Sequence, residues 1–258
     1  MDLGIKNKLA LVTGAGRGIG AAVCESLANE GARTFSVARS KSDLENLLSK
    51  LGDSSNHAFL QADLEKDSEV ERLIEHLNKN NMVPDIVVNN VGGNLNYTDP
   101  LDGIVSWRKV MQLNVEVAIQ INQAFIPSMI EKKWGRICHI SSISALENQG
   151  PPAYCAAKAA LNAYVRSLGR FVSPDNVILT SVMPGAVLTK DGYWDKASLD
   201  RPDHVSKYLK ERMAIKRFGE LKEISNLVAV MCSDLASFCV GTALLVDGGQ
   251  GRVFYSQE

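Results

Sequence analysis

A glycine-rich turn near the N-terminus constrains the fold of this chain more than any other feature. Residues 8–13 form a short apolar run that predicts a buried strand, and residues 18–30 have the composition of a helix. Gly14, Gly18 and Gly20 lie between and at the start of these segments. Glycine lets a backbone approach a ligand closely, and the free N–H groups of a helix N-terminus attract phosphate. This order of strand, turn and helix therefore predicts a dinucleotide-binding site.

The rest of the chain alternates between strand and helix patterns. Strands are predicted near 8–13, 33–38, 57–61, 85–89, 135–141, 176–182 and 243–246, and helices at 18–30, 41–51, 67–80, 101–113, 115–132, 152–172 and 220–231. Several strands are apolar without alternation, as strands covered on both faces are. The pattern predicts an α/β fold, a Rossmann-like doubly wound parallel sheet of about seven strands with helices on both faces. Ligands of such sheets bind at the carboxyl ends of the strands.

Length and composition restrict the classes of function. The 258 residues suit a single domain, 1–258, and the net charge of −1 gives no reason to expect nucleic acid or an anionic membrane as partner. The chain has neither a long apolar stretch nor a signal-peptide pattern. Its five cysteines include no Cys-x-x-Cys pair, and its four histidines lie in unrelated contexts. We therefore expect reduced thiols, a cytoplasmic location and no metal site.

Tyr154 and Lys158 lie four residues apart in the helical pattern 152–172. Residues at this spacing project from one face of a helix, so a phenol lies beside an ammonium. A neighbouring cation lowers the pKa of a phenol from about 10 and makes it a usable general acid or base. The same spacing is also typical of a solvated helix face, and the choice depends on the rest of the chain.

Motifs along the whole chain together resemble the short-chain dehydrogenase/reductase family, in its single-domain subfamily. They are Thr13-Gly14-x-x-x-Gly18-x-Gly20, Asn89-Asn90-Val91-Gly92, Leu113-Asn114-Val115, the strand ending in Ser141-Ser142, Tyr154-x-x-x-Lys158 and the loop 184–189. The resemblance implies an oxidoreductase that transfers a hydride between a nicotinamide cofactor and a carbonyl or alcohol. It implies that Tyr154 donates the proton and that Lys158 lowers the Tyr154 pKa and holds the nicotinamide ribose. Asn114 would support a water that links Lys158 to solvent; as an alternative, Asn114 caps a helix.

The identity of the active serine is ambiguous. Counting thirteen residues back from Tyr154, as the family does, gives Ser141, whereas the usual end of the family's strand gives Ser142. Successive residues of a strand point to opposite faces, so only one hydroxyl can face the site. Loops absorb deletions more easily than strands do, which favours a deletion within 143–153 and hence Ser142. The predicted catalytic residues are Asn114, Ser142, Tyr154 and Lys158.

The predicted cofactor is NADP(H), preferred over NAD(H). The region after the second strand has Arg39 and no carboxylate until Asp43, and Arg17 lies within the glycine-rich turn. Two guanidinium groups suit a ribose 2′-phosphate, unless both are ordinary surface arginines. The predicted cofactor-binding residues are Gly14, Arg17, Gly18, Ile19, Gly20, Arg39, Asp63, Leu64, Asn90, Tyr154, Lys158, Pro184, Gly185, Val187 and Thr189.

Residues 190–217 interrupt the alternation and are interpreted as a substrate lid. The substrate pocket is predicted to comprise 93–96, 144–149 and the lid, with polar residues Asn94, Asn96, Glu147, Asn148 and Gln149, and Tyr193, Trp194, Arg201 and His204 from the lid. A polar lining favours a polar small-molecule carbonyl. The alternative is a 3-oxoacyl group on an acyl carrier protein, because relatives of this kind reduce such groups. An alternative of another class is a non-catalytic dinucleotide-binding sensor.

The last predicted strand and the helices 115–132 and 152–172 bear on assembly. These helices carry small or apolar residues on more than one face, which requires a second packing partner. The segment 238–249 resembles the tetramer contact of the family. We therefore expect a homotetramer with closed symmetry; the alternative is a dimer through these two helices.

Overall fold

A seven-stranded parallel sheet is the framework of the computed structural model, which describes residues 1–52, 54–147 and 149–252. Its strands are β1 (Leu9–Thr13), β2 (Arg33–Ala38), β3 (His57–Gln61), β4 (Ile86–Asn89), β5 (Gly135–Ile140), β6 (Val177–Pro184) and β7 (Ala243–Val246). They lie side by side in the order β3-β2-β1-β4-β5-β6-β7. The predicted fold class is confirmed, and the predicted strand bounds agree with these within two residues.

Nine α-helices, counted over the described residues, connect the strands and cover the sheet. They are α1 (Gly18–Asn29), α2 (Lys41–Lys50), α3 (Asp67–Lys79), α4 (Ile104–Met111), α5 (Val117–Glu131), α6 (Pro152–Val172), α7 (Tyr193–Asp200), α8 (Pro202–Arg212) and α9 (Leu221–Met231). None of those helices combines the length and the apolar character that a membrane span requires.

Alternate residues of the strands enter two separate cores. On β1, Ala10 and Val12 pack with Val23 of α1 and Val228 of α9, whereas Leu11 belongs to the opposite core. That second core also holds buried side chains of α3, α5 and α6. Both sheet faces are therefore dry, which is why these strands are apolar without alternation.

The sheet changes direction between β1 and β4. From β1 the chain proceeds outward to β2 and β3, then returns to pair β4 against the other side of β1. Connections therefore diverge above β1 and β4 and leave a crevice at their carboxyl ends. The glycine-rich turn follows β1, and Asn90 follows β4, so both lie at this crevice.

Two parts of the helical prediction were wrong. The predicted break between 101–113 and 115–132 does not exist, because a π-helical turn (Gln112–Glu116) joins α4 to α5 without interruption. No helix was predicted within the lid segment 190–217, yet it contains α7 and α8. These helices bury few side chains, such as Ala197 and Val205, so they carry almost no apolar periodicity to detect.

Candidate functional site

A cleft of about 1180 Å³ at the carboxyl edge of the sheet brings most of the predicted site residues together. Those that line it are Gly14, Arg17, Gly18, Ile19, Arg39, Asp63, Leu64, Asn90, Ser142, Tyr154, Lys158, Pro184, Gly185 and Thr189. Gly20 and Asn114 are buried behind this lining. Val187 lies elsewhere: it forms an isolated β-bridge with Gly219 and packs against the core.

The conformation of the glycine-rich turn requires glycine at several positions. Gly14 and Gly18 have φ angles of 64° and 59°, in the region that side chains disfavour. A Cβ at Gly20 would lie 2.3 Å from the carbonyl oxygen of Gly14. The turn can therefore pass closely over the start of α1 and leave the space above it open to a ligand.

Side chains at the end of β1 and after β4 hold the turn in place. The Thr13 hydroxyl accepts hydrogen bonds from the backbone N–H groups of Asn90 and Val91 at 3.0 and 3.1 Å. The Asn90 amide donates to the carbonyl oxygens of Thr13 and Gly14 at 2.9 and 3.0 Å. Asn90 therefore stabilises the turn from beneath. The family resemblance implied a different role, in which Asn90 contacts the cofactor.

The N-terminus of α1 fits the pyrophosphate of a dinucleotide. Gly18 and Ile19, its first residues, line the cleft, and its first turn contains no acidic residue. Within the described residues, no side chain caps this twelve-residue helix. Its free N–H groups and positive dipole end therefore face the cleft, ready for an anion.

Ser142 and Ser141 point in different directions. Ser142 is in side-chain hydrogen-bond contact with Tyr154, and its hydroxyl also accepts from the Ser144 N–H at 3.1 Å. The Ser141 hydroxyl is buried and donates to the Lys158 carbonyl oxygen at 3.3 Å. The hydroxyl that lies beside the Tyr154 phenol is therefore that of Ser142.

Lys158 places a charged group deep inside the protein. Its side chain is 3 % exposed, and Nζ donates to the Ile140 carbonyl oxygen at 2.8 Å. Burial lowers the pKa of Lys158 to about 8, because the charged form loses its hydration. A Cβ at Gly92 would lie 3.0 Å from Nζ and 2.5 Å from Oδ1 of Asn114, so Gly92 provides the space for both side chains.

The predicted direction of the Tyr154 pKa shift is wrong. Burial raises the pKa of Tyr154, and the hydrogen bond with Ser142 opposes this shift. Nζ of Lys158 lies 5.6 Å from the centre of the Tyr154 ring and donates its hydrogen bond to the Ile140 carbonyl oxygen. The spacing predicted a shared helix face correctly, but it carried no information about burial.

Asn114 lies within the π-helical turn and does not cap a helix. Its amide donates to the carbonyl oxygens of Gly93 and Val110 at 2.8 Å each, and its Oδ1 accepts from the Gly93 N–H at 3.0 Å. The π turn leaves the Val110 carbonyl available to this side chain. Asn114 consequently fixes the backbone of the loop that follows Gly92.

A buried polar network, which was not predicted from the sequence, lies behind the site. His139 Nε2 accepts from the amides of Asn89 and Asn122 at 3.2 and 3.1 Å, and Nδ1 donates to the Thr180 carbonyl oxygen at 3.3 Å. The Asn122 amide also contacts the Tyr164 hydroxyl. Burial lowers the pKa of His139 to about 4, with Lys158 contributing, so the ring is neutral. No spacing along the chain indicates this cluster.

The predicted substrate side is only partly correct. Residues 93–97 line the cleft, but 144–147 and Gln149 do not, and Asn148 lies outside the described residues. Trp194 packs on Tyr208 and Phe218, with ring centroids 4.1 and 4.8 Å away. Its ring therefore packs α7 against α8. From this end of the chain the cleft is lined by Thr189, Lys190 and Gly192. Tyr193, Arg201 and His204 were also expected in the pocket and are absent from that lining.

Gln250 is a further buried polar residue that was not predicted from the sequence. Its side chain is 3 % exposed, and Oε1 accepts from the Ala186 N–H at 2.7 Å. Its amide donates to the Tyr208 hydroxyl at 2.7 Å and to Gln149. One carboxamide therefore links the loop after β6, helix α8 and the loop before α6.

No metal centre is found among the residues that the structure describes. Groups of three or more His, Cys, Asp or Glu side chains suited to a metal ion do not occur in these ranges. All five cysteines are free thiols.

Comparison with known proteins identifies the family of the chain. The family model "short chain dehydrogenase" matches residues 8–193, which is more than half of the chain. The chain therefore belongs to the short-chain dehydrogenase family of oxidoreductases. A 3-oxoacyl-[acyl-carrier-protein] reductase of Aquifex aeolicus is 31 % identical over 256 residues, covering 96 % of this chain and 99 % of the relative.

Solved structures show the same fold with cofactor bound. L-sorbose reductase from Gluconobacter frateurii, complexed with NADPH and L-sorbose, has a TM-score of 0.90 and 30 % identity, over 99 % of this chain and 100 % of that chain. A 3-oxoacyl (acyl-carrier-protein) reductase from Agrobacterium tumefaciens C58 with NADP bound has a TM-score of 0.88 and 28 % identity, over 96 % of each chain.

The buried ammonium makes a prediction about stability. Replacing Lys158 by Met removes a charge from the interior, and we expect the free energy of unfolding at pH 7 to rise by about 1–3 kcal/mol. Below pH 8 both the folded and the unfolded state hold the Lys158 proton, so the cost of burial is complete. Between pH 8 and 10.5 the folded state loses the proton first, so the gain should shrink. Denaturant unfolding over this pH range measures it.

Lys79→Met provides a matched control, because Lys79 is an exposed helical lysine paired with Glu75. We expect less than about 0.5 kcal/mol of change there. A Lys158→Met protein less stable than the native chain at pH 7 would contradict the argument from burial.

Proposed function

We propose that this protein is an NADP(H)-dependent oxidoreductase that reduces the carbonyl group of a polar small molecule, or oxidises the matching alcohol. The observation that carries the proposal is the grouping of Tyr154, Ser142 and Lys158 in the cleft that the uncapped α1 helix also faces. A phenol with a hydroxyl partner and a nearby ammonium suits proton transfer to a carbonyl oxygen. Belonging to the family supports the same reaction class.

Each residue has a distinct task in the proposed mechanism. Residues 14–20 would hold the pyrophosphate and Lys158 the nicotinamide ribose; the bound nicotinamide supplies the hydride. Ser142 hydrogen-bonds the carbonyl oxygen, and Tyr154 gives it a proton as negative charge develops there. The raised Tyr154 pKa keeps that proton on the phenol at neutral pH. Asn114 fixes the Gly93 backbone, and a water beside it would renew the proton through Lys158.

Two features favour a polar substrate. Asn94, Asn96 and Lys190 are among the residues that line the cleft, together with Tyr97. A related structure contains L-sorbose, a polyhydroxylated ketone. The alternative substrate is a 3-oxoacyl group on an acyl carrier protein, favoured by relatives of that name at about 31 % identity. A non-catalytic sensor is a weaker alternative, because it would have no need for the Tyr154 grouping.

Residues 190–217 are proposed to act as a lid within a single-domain chain. Lys190 and Gly192 reach the cleft, and Tyr208 of α8 is anchored through Gln250 to the loops around it. Movement of this segment would therefore open or close the substrate side. A cytoplasmic location is proposed with it, supported by the free thiols.

A carbonyl panel tests the proposed function directly. NADPH oxidation, followed at the nicotinamide absorbance, should be faster with ketose sugars than with 3-oxoacyl thioesters.

With the best substrate, Tyr154→Phe should lower kcat at least about 100-fold while NADPH affinity changes little, because the lost hydroxyl acts in the transition state. Tyr164→Phe is the matched control and should retain most activity. Near-native turnover by Tyr154→Phe would refute the mechanism.

The two serines give a paired prediction. Ser142→Ala should lower kcat by about 100-fold, as the loss of one donor to a developing oxyanion does. Ser141→Ala removes a hydroxyl that faces the Lys158 backbone, so its effect on kcat should be less than about ten-fold. Steady-state kinetics of both variants decide between them, and the reverse order would assign the role to Ser141.

Cofactor preference gives a prediction at Arg39. NADPH should bind at least about ten-fold more tightly than NADH, since Arg17 in the glycine-rich turn and Arg39 after β2 both line the cleft. Arg39→Asp should reverse the order. Calorimetric titration with both nucleotides measures it, and equal affinities in the native chain would contradict the proposed preference.

A homotetramer is the proposed assembly. Phe171 on α6 and Phe238 before β7 are 79 % and 100 % exposed, and the following Gly241 packs on Arg166 of α6. Such large apolar side chains are typical of surfaces covered by another subunit. Sedimentation velocity at micromolar concentration should show four subunits. Phe238→Asp should weaken the assembly, whereas Leu199→Asp, at an exposed leucine of α7, is the control; a monomeric native chain would exclude the proposal.

A further inference from the structure

Arg39 does not present a free guanidinium group to the cleft. Its Nη1 donates to Oε1 of Glu65 at 2.7 Å, and both residues line the cleft. The paired strands β2 and β3 end side by side at Ala38 and Gln61, and Arg39 and Glu65 lie in the segments that follow them. Gln61 anchors this arrangement, because its amide donates to the Arg39 carbonyl oxygen at 2.9 Å.

The charges at this end of the cleft cancel. The lining cations here are Arg17, Arg39 and Lys66, and the lining carboxylates are Asp43, Asp63 and Glu65. A phosphate dianion gains most from a site of net positive charge. Among these carboxylates, Glu65 is the one in direct contact with Arg39.

We propose that Glu65 is a specificity-determining residue that opposes binding of a 2′-phosphate by occupying Arg39, so that it narrows the preference for NADP(H) over NAD(H). This inference rests on the proposed function and refines its cofactor selectivity. A phosphate bound to the same guanidinium would lie within a few ångströms of the Glu65 carboxylate, and the two anions repel each other. An adenosine ribose without a 2′-phosphate meets no such repulsion.

The ion pair between Arg39 and Glu65 can compete with a 2′-phosphate for the guanidinium group without preventing the phosphate from binding. The side chains of Arg39 and Glu65 are 67 % and 35 % exposed. Ion pairs of this exposure are weak, so Arg39 can release or share its partner. The guanidinium has further N–H groups, which leaves donors for a second anion. Glu65 therefore adjusts selectivity by degree.

Glu65→Gln separates the charge of this residue from its hydrogen bond. The Gln amide oxygen can still accept from Arg39, so the guanidinium stays oriented while the negative charge is removed. Glu69→Gln is the matched control, because Glu69 also forms a 2.7 Å ion pair with an arginine, Arg72, yet does not line the cleft. Both variants alter the net charge equally.

Titration calorimetry at fixed ionic strength provides the test, with adenosine 2′,5′-bisphosphate and 5′-AMP as probes beside NADPH and NADH. Glu65→Gln should bind the two 2′-phosphorylated compounds about ten-fold more tightly and the other two within about two-fold of the native chain. In an Arg39→Gln background this gain should disappear. Glu69→Gln should leave all four affinities within about two-fold of native.

The opposite results overturn the inference. Weaker or unchanged binding of 2′-phosphorylated compounds by Glu65→Gln would show that Glu65 orients Arg39 for the phosphate or plays no part. An equal gain for NADH, or the same gain in Glu69→Gln, would show a general effect of charge. A native chain that binds neither NADPH nor NADH would contradict the proposed function itself, whereas native NADPH binding that does not respond at Glu65 contradicts the inference alone.

Discussion

The buried ammonium of Lys158 is the constraint on which the site depends. A charge in the interior must be compensated, and here the Ile140 carbonyl at the end of β5 accepts from it at 2.8 Å. The groups around it are adapted to its presence. Gly92 has no side chain that would collide with Nζ, and His139 behind it stays neutral because both burial and Lys158 lower its pKa. A protonated His139 would add a second buried positive charge, which Lys158 would repel.

Hydrogen bonds to the loop after β4 link the two halves of the cleft. Asn90 and Thr13 tie the loop after β4 to the glycine-rich turn, and Asn114 ties the next residues of that loop to the π turn. The glycine-rich turn and the region around Asn114 are therefore both joined to one loop, residues 89–93, which is held at both ends. Such bracing restricts the backbone where small displacements would alter the distance between reacting groups.

Local sequence patterns predicted the strands and most of the helices well, but they did not predict contacts between distant segments. The strands were predictable because their apolar runs alternate with helices, and Tyr154 and Lys158 share a face because helical spacing requires it. The pKa direction of Tyr154 was not predictable, since it depends on burial by other segments. Helices α7 and α8 were missed because they bury little apolar surface, and the π turn because Asn114 sustains it through contacts with Gly93 and Val110.

Different parts of the cleft interact with charged groups through different physical mechanisms. Where a pyrophosphate would lie, attraction comes from the neutral N–H groups of the uncapped α1 helix, whose first turn has no acidic residue. Dipoles of this kind serve any dinucleotide equally. At the ribose end, exposed charges of both signs meet, and solvent weakens each of them. Beside Tyr154, the Lys158 ammonium is shielded from solvent, so its field is strong. The proposed selectivity therefore depends on exposed groups that can be substituted at little structural cost, whereas the proposed catalytic charge of Lys158 is buried in the core of the fold.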